Sequence, residues 1–230
     1  TLSSSSAASD VYKRQGAEVT VTGTRASAGE YLTDLSGMAY AQLVLTDPAS
    51  IDAVKARFDV LDVLVNNAGA NFPGGLDESA PDGFDASVAL NLNGTYRLTV
   101  ALRRALKAST APGGAAVVNL SSMSALRAVT LVPGYSAAKA GIIAVTRTLA
   151  VKWAKDGIRV NAVAPGTIDT PMTAPMQGIP ALIDAEVAHI PLGRFGRVDE
   201  IAPTIALLCT ENSSYTSGAL FVVDGASDCL

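Results

Sequence analysis

The sequence is poor in the residues that metal, disulfide and nucleic-acid chemistry require. It has one histidine and only two cysteines, Cys209 and Cys229, among 230 residues. So few ligands build neither a zinc site nor a disulfide framework, and the thiols fit a reducing cytoplasm. Charged residues make up only 17%, against roughly 25% in an average globular chain. The balance is mildly acidic, 17 basic against 21 acidic residues, so no basic footprint exists for nucleic acid or an anionic membrane surface. No apolar run approaches the roughly 20 residues of a membrane span. Residues 1–10 lack the basic start and apolar stretch of a signal peptide. A cytoplasmic protein with no nucleic-acid and no membrane partner is expected.

Apolar residues, by contrast, reach 49%, which excludes disorder. From residue 16 onward short apolar strands alternate with helical stretches. Strands are expected over residues 17–22, 38–45, 60–65, 115–120, 158–163 and 219–223. Helices are expected over 48–58, with Asp47 as N-cap and Pro48 at its first position, and over 81–107 with a bend at Gly94. Two more are expected over 132–155 and 198–208. This alternation indicates βαβ units and a parallel sheet. The strands are apolar on both faces, as helices covering both sides of the sheet demand. One domain over residues 16–230 is expected.

Ligands of an open parallel sheet bind beyond the carboxyl ends of its strands. The small polar clusters fall there: Gly23-Thr24-Arg25, Asn66-Asn67-Ala68-Gly69, Ser121-Ser122 and Pro165-Gly166-Thr167. Tyr135 and Lys139 lie four residues apart near the start of a helix, on one face. A neighbouring ammonium favours phenolate and lowers the Tyr pKa, which suits proton exchange with an alcohol or carbonyl oxygen. The plain alternative is a solvated helical pair. Ser122, at a buried strand end, suits a hydrogen bond to a substrate oxygen or the capping of a turn. Asn91 is a poor helix former inside the longest helix, placed to hold a bend or a buried water.

In this order the motifs resemble the short-chain dehydrogenase/reductase family. The matching pieces are Asn66-Asn67-Ala68-Gly69, Asn91, Val118-Asn119-Leu120-Ser121-Ser122, Tyr135-x-x-x-Lys139, the stretch from Arg159 to Gly166, Pro191 to Gly196, and Val223-Asp224-Gly225. The resemblance implies an α/β, Rossmann-like, doubly wound parallel sheet. It implies reversible hydride transfer between a nicotinamide cofactor and a small carbonyl/alcohol substrate. Tyr135 would be the general acid/base, with Lys139 lowering its pKa and binding the nicotinamide ribose. Ser122 would orient the substrate oxygen, and Asn91 would support the water of a proton relay. Asn66, Ala68 and Gly69 would line the adenine-ribose side of the cofactor, and Pro165, Gly166, Ile168 and Thr170 its nicotinamide end. Where the family often carries an adenine-contacting Asp this chain has Val44, leaving the backbone of Leu45. Arg25 follows the cofactor-selecting strand where no acidic residue stands, which favours NADP over NAD. Residues 171–193 would form a substrate lid, with His189 a surface or packing residue and Met172 and Met176 facing the substrate or the core. 3-oxoacyl thioesters, sugars and cyclic ketones all suit such a lid. A homotetramer or homodimer joined through the helices over 81–107 and 132–155 is implied. The competing reading is a non-catalytic binding or scaffold homologue.

The family opens with a strand and a Gly-rich Thr-Gly-x-x-x-Gly-x-Gly turn that carries the cofactor pyrophosphate. Residues 1–15 do not resemble it. Their stretch SAASDVYKRQ resembles translated adapter sequence at the ends of metagenomic gene reads. Residues 1–15 are therefore expected to be an artefactual segment standing where the first strand belongs; the alternative is a divergent natural N-terminus. The family's first strand lies mid-sheet, between the strands ending near Thr22 and Val65. A chain without it exposes two strand edges and is expected to be poorly soluble and inactive.

Overall fold

The computed structural model describes residues 16–31 and 34–229. The reading of residues 1–15 lies outside the described residues. Six strands form: β1 (Thr20–Gly23), β2 (Ala39–Gln42), β3 (Val63–Asn66), β4 (Ala115–Leu120), β5 (Ile158–Pro165) and β6 (Leu220–Val223). All pairings are parallel. β1 pairs with β2, and β3-β4-β5-β6 run in that order.

Both faces of the sheet are covered, which is why β4 is buried at all six positions. Helix α1 (Pro48–Lys55) starts as its sequence dictates, with the Asp47 carboxylate accepting from Ala49 N–H at 2.9 Å and Pro48 in the first turn. α2 (Pro81–Val88), α3 (Thr95–Ala101), α4 (Arg103–Lys107) and α5 (Pro133–Trp153) follow. On one face Val117 and Val160 meet Ile51 and Val54 of α1, Leu98 and Leu106 of α3 and α4, and Leu149 and Trp153 of α5. On the other, Val118, Leu120 and Val163 pack on Ile201, Ile205 and Leu208 of a later helix. The alternation along β4 is the period of two that sends successive side chains to opposite faces.

The long helix expected over residues 81–107, with its bend near Gly94, continues as α2, α3 and α4, and the residues flanking the irregular turn, Val88, Ala89, Gly94 and Thr95, keep right-handed helical backbone. Ala89–Gly94 form a π-helical turn between α2 and α3. Asn91 sits in that turn, and its Nδ2 donates to the Ser87 carbonyl four residues back, at 3.0 Å. Gly94 then presses on β2's exit: a Cβ there would lie 2.7 Å from the Leu45 carbonyl oxygen. Beyond β5, the stretch expected as a lid holds two short helices, α6 (Ala174–Gln177) and α7 (Pro180–Val187), before α8 (Val198–Cys209).

Among the described residues the strands form two separate groups. Among the described residues, no strand joins β1 to β3. Between them lies a cavity of about 370 Å³, bounded by residues 17–22 on one side and 63–68 on the other. Leu43, Leu45, Val54, Phe58, Leu98 and Leu102 complete its walls. Two parallel strand edges facing each other across an apolar gap have the form of a doubly wound sheet without one central strand.

Candidate active site

The carboxyl ends of β3, β4 and β5 deliver the site. α5 opens with Pro133 at its first position, and Val132 before it has no side chain able to cap. Tyr135 and Lys139 therefore occupy its first two turns and face the end of β4. Lys139 is 4% exposed. Its Nζ donates to the Leu120 carbonyl at 2.7 Å and lies 5.3 Å from the centre of the Tyr135 ring. Ser121 Oγ donates to the Lys139 carbonyl at 2.9 Å, tying strand end to helix. Ser122 is hydrogen-bonded through its side chain to the Tyr135 phenol. Its Oγ also accepts from Ser124 N–H at 3.2 Å.

Burial governs both titrating groups. It pushes the Tyr135 phenol up to about 12; the Ser122 hydrogen bond pulls it down and the charge of Glu78 raises it further. Burial alone pulls the Lys139 ammonium down to about 8. The expectation that Lys139 lowers the Tyr135 pKa is thus corrected. The ammonium is directed to the Leu120 carbonyl, and burial is the largest influence on the phenol.

Asn91 is fully buried. Its Oδ1 accepts from Ala70 N–H at 3.0 Å and its Nδ2 donates to the Ala70 carbonyl at 2.9 Å. That pair of bonds fastens the loop after β3 to the π-helical turn. Gly69 is where the parts meet: a Cβ on it would lie 2.7 Å from Asn91 Oδ1 and 3.5 Å from Lys139 Nζ. Gly69, Asn91, Ser122, Tyr135 and Lys139, spread over 71 positions of sequence from 69 to 139, form one constellation.

The residues expected along a cofactor are placed as follows. Asn66 turns its side chain inward, Nδ2 donating to Thr99 Oγ1 and to Asn119 Oδ1, each at 2.8 Å. What it offers a ligand is backbone. Ala68 is exposed and borders the cavity beside β3. Leu45 is buried, with its backbone against Gly94. Arg25 lies on the exposed loop after β1, its guanidinium 4.9 Å above the Tyr31 ring, and Tyr40 Oη donates to its carbonyl at 2.6 Å. Pro165 ends β5, and Gly166 N–H donates to the Val223 carbonyl at 3.0 Å. Ile168 bridges to Gly196. Thr170 begins a turn through its backbone, its N–H donating to Thr173 Oγ1 at 3.1 Å.

Two features escaped the sequence reading. Glu78 is 1% exposed, with one carboxylate oxygen on Phe72 N–H and the other on Tyr135 N–H. Glu186 of α7 accepts from Arg127 at 2.7 Å and from Thr167 Oγ1 at 2.5 Å, so the lid helix is tied to the loops after β4 and β5. Neither carries a sequence signal, since an acidic residue in a polar stretch reads as solvated. His189 is exposed, Nδ1 against the Ala185 carbonyl of its own segment at 2.7 Å. Among the described residues no cluster of metal-ligating side chains occurs, and no helix is long and apolar enough to cross a membrane.

Comparison with known proteins fits this geometry. The family profile described as Enoyl-(Acyl carrier protein) reductase matches residues 4–226. The cis-4-hydroxycyclohexanecarboxylate dehydrogenase of Sinomonas cyclohexanicum is 40% identical over 179 residues, covering 77% of this chain and 70% of that protein. An uncharacterized short-chain type dehydrogenase/reductase, y4vI, of Sinorhizobium fredii is 38% identical over 174 residues, 75% of this chain. The match spans only 31% of that longer relative. A crystal structure from Agrobacterium tumefaciens, described as a 2-deoxy-D-gluconate 3-dehydrogenase with bound NADP, superposes with a TM-score of 0.82. It is 32% identical, with 97% of this chain and 91% of that one covered. Fold, motif order and relatives agree: the chain belongs to the short-chain dehydrogenase/reductase family.

Proposed function

We propose that the protein is an NADP(H)-dependent oxidoreductase that interconverts a small carbonyl compound and its alcohol, with Tyr135 as general acid/base. The convergence of Ser122, Tyr135, Lys139 and Asn91 around Gly69 carries this reading. The residues fit a nicotinamide dinucleotide at two points. A buried ammonium with three donors, one directed to Leu120, suits ribose hydroxyls. An exposed guanidinium after β1, with no acidic residue at Gly23 or Thr24, suits a 2′-phosphate. When bound, the cofactor supplies or accepts the hydride.

The chain's own residues do the rest. Tyr135, with its phenol held protonated at neutral pH, donates that proton to the carbonyl oxygen in reduction and takes it back in oxidation. Such a positioned group contributes about 10²–10⁴-fold to rate. Ser122, already bonded to the phenol, orients the same oxygen. Lys139 holds positive charge near the phenol as it ionises. Asn91 fixes the loop at Ala70 and so the wall facing Lys139. The lid supplies half-buried Met172 and Met176, which supports a small or moderately apolar substrate. The cis-4-hydroxycyclohexanecarboxylate relative supports a cyclic alcohol or ketone among the candidates. A homodimer or homotetramer is supported by apolar side chains left on the long helices: Val151 is 82% exposed, and Phe84, Tyr96 and Val100 are exposed as well. A cytoplasmic location follows from the same reading.

The separation of β1 from β3 among the described residues favours one second reading, a homologue that binds without turnover. Titrating NADPH and NADH into the protein with a first strand and Gly-rich turn restored, then screening carbonyl and alcohol substrates, separates the two. NADPH oxidation with any carbonyl supports the enzyme. Cofactor binding with no turnover across the panel supports the second reading.

A further inference from the structure

Glu78 is a fully buried carboxylate to which the proposed chemistry assigns no task. It is held rigidly. Asp77 and Glu78 pack against α2 so closely that a Cβ on Gly83 would lie 1.9 Å from the Asp77 carbonyl oxygen and 3.0 Å from Glu78 N. The start of α5 leans on the same helix, where a Cβ on Gly134 would lie 2.9 Å from Ser87 Cβ and 3.0 Å from Phe84 Cα. From this seat Glu78 Oε2 accepts from Tyr135 N–H at 2.7 Å and Oε1 accepts from Phe72 N–H at 2.9 Å. The first partner is a first-turn amide of α5, one of the donors that no helical carbonyl can satisfy. The residue before the helix, Val132, provides no cap. The second is an amide of the loop after β3, at a residue held in the left-handed region with φ 48°. That same loop is fastened by Asn91 at Ala70, two residues earlier.

We infer that Glu78 is a positioning residue for Tyr135: one carboxylate caps the Tyr135-bearing helix from a distance and locks it to the loop that forms the opposite wall of the site. The inference rests on the reading of Tyr135 as the proton carrier. Both oxygens are required, since two amide donors need two acceptors. Glutamine presents one acceptor and one donor group and can satisfy only one of the amides. The charge matters as well. Three groups face the phenol: the Ser122 hydroxyl, the Lys139 ammonium and Glu78. Glu78 favours the protonated phenol, the form that donates to a carbonyl.

The test uses the full chain labelled with 3-fluorotyrosine, whose fluorine acidifies the phenol into an accessible range, with Tyr135→Phe identifying the resonance. In Glu78→Gln the Tyr135 resonance should titrate at lower pH by about half a unit or more. Amide exchange at Tyr135 or Phe72 should accelerate at least tenfold. Glu78→Asp, one methylene shorter, keeps the charge but cannot span both amides. It should lose amide protection while its phenol titrates within about 0.3 unit of the parent. Ile142→Val, a core change elsewhere in α5, should leave the titration in place. The inference is overturned if Glu78→Gln moves neither readout, or if Ile142→Val moves the titration as far. Neither readout needs turnover, so the result stands apart from activity. Retention of full activity in Tyr135→Phe would instead overturn the reading of Tyr135.

Discussion

A strand placed between β1 and β3 should stabilise the protein markedly. The perturbation replaces residues 1–15 with a run of five Val, Ile or Leu residues. A crossover of a dozen or more residues, the least that joins parallel strands, leads from it to Gly16. Two routes give the size of the gain. The cavity of about 370 Å³, at about 24 cal/mol per Å³, corresponds to roughly 9 kcal/mol. Five buried apolar side chains at about 1.5–3 kcal/mol each give roughly 7–15 kcal/mol. Either figure rivals a domain's whole stability of about 5–15 kcal/mol. Ordering the added segment offsets much of this. If a third survives, about 3 kcal/mol, the urea midpoint rises by about 1 M or more. Urea unfolding followed by far-UV circular dichroism measures the midpoint, and hydrogen exchange reads the β1 and β3 amides. An unchanged midpoint with unprotected edge amides would refute the reasoning that the gap is a strand site. The same reasoning expects the unaltered chain to aggregate more readily, which sedimentation of the two proteins side by side will show.

Three further predictions concern the site. Gly69→Ala drives a methyl to 2.7 Å from Asn91 Oδ1; turnover should fall tenfold or more, while Tm, by calorimetry, falls only a few degrees, about 1 kcal/mol. Lys139 titrates at about 8 when folded, below its ordinary 10.5, so between those values the unfolded chain binds more protons and stability rises with pH. Its burial thus costs roughly 3 kcal/mol at pH 7, regained by about pH 10.5. Lys139→Met should unfold at higher urea than the parent at pH 7 and lose that advantage by pH 10; parallel curves at both pH values would count against it. Arg25→Ala should weaken NADPH binding about tenfold and leave NADH unchanged, as fluorescence titration will show; equal losses for both would remove Arg25 from the 2′-phosphate.

Most of the fold was legible because its signals are local. The boundaries of β4 follow from an apolar run interrupted only by Asn119, and α1 is announced by Asp47-Pro48. The motif residues at the strand ends also assemble where a parallel sheet must present them. What was hidden depends on burial. Asn91 marks a bend in sequence, but only packing shows that its carboxamide holds the loop at Ala70. Glu78 stands in Asp77-Glu78-Ser79 like any solvated loop acid, and only the closeness of α2 and α5 buries it. The Tyr135–Lys139 spacing predicts proximity correctly but misjudges the pKa, because desolvation is a property of the whole environment. The separation of β1 from β3 among the described residues has no signal in composition, which describes an ordinary α/β domain.

The central claim is that Tyr135 carries the proton in a hydride transfer. Its most direct test is single-turnover oxidation of NADPH by the chain bearing the added strand followed by a Gly-rich turn, with a cyclic ketone, compared with Tyr135→Phe of the same protein. The account predicts turnover in the first and a loss of about 10²-fold or more in the second, with NADPH affinity changed less than threefold. Turnover in Tyr135→Phe within a few-fold of the parent would contradict it.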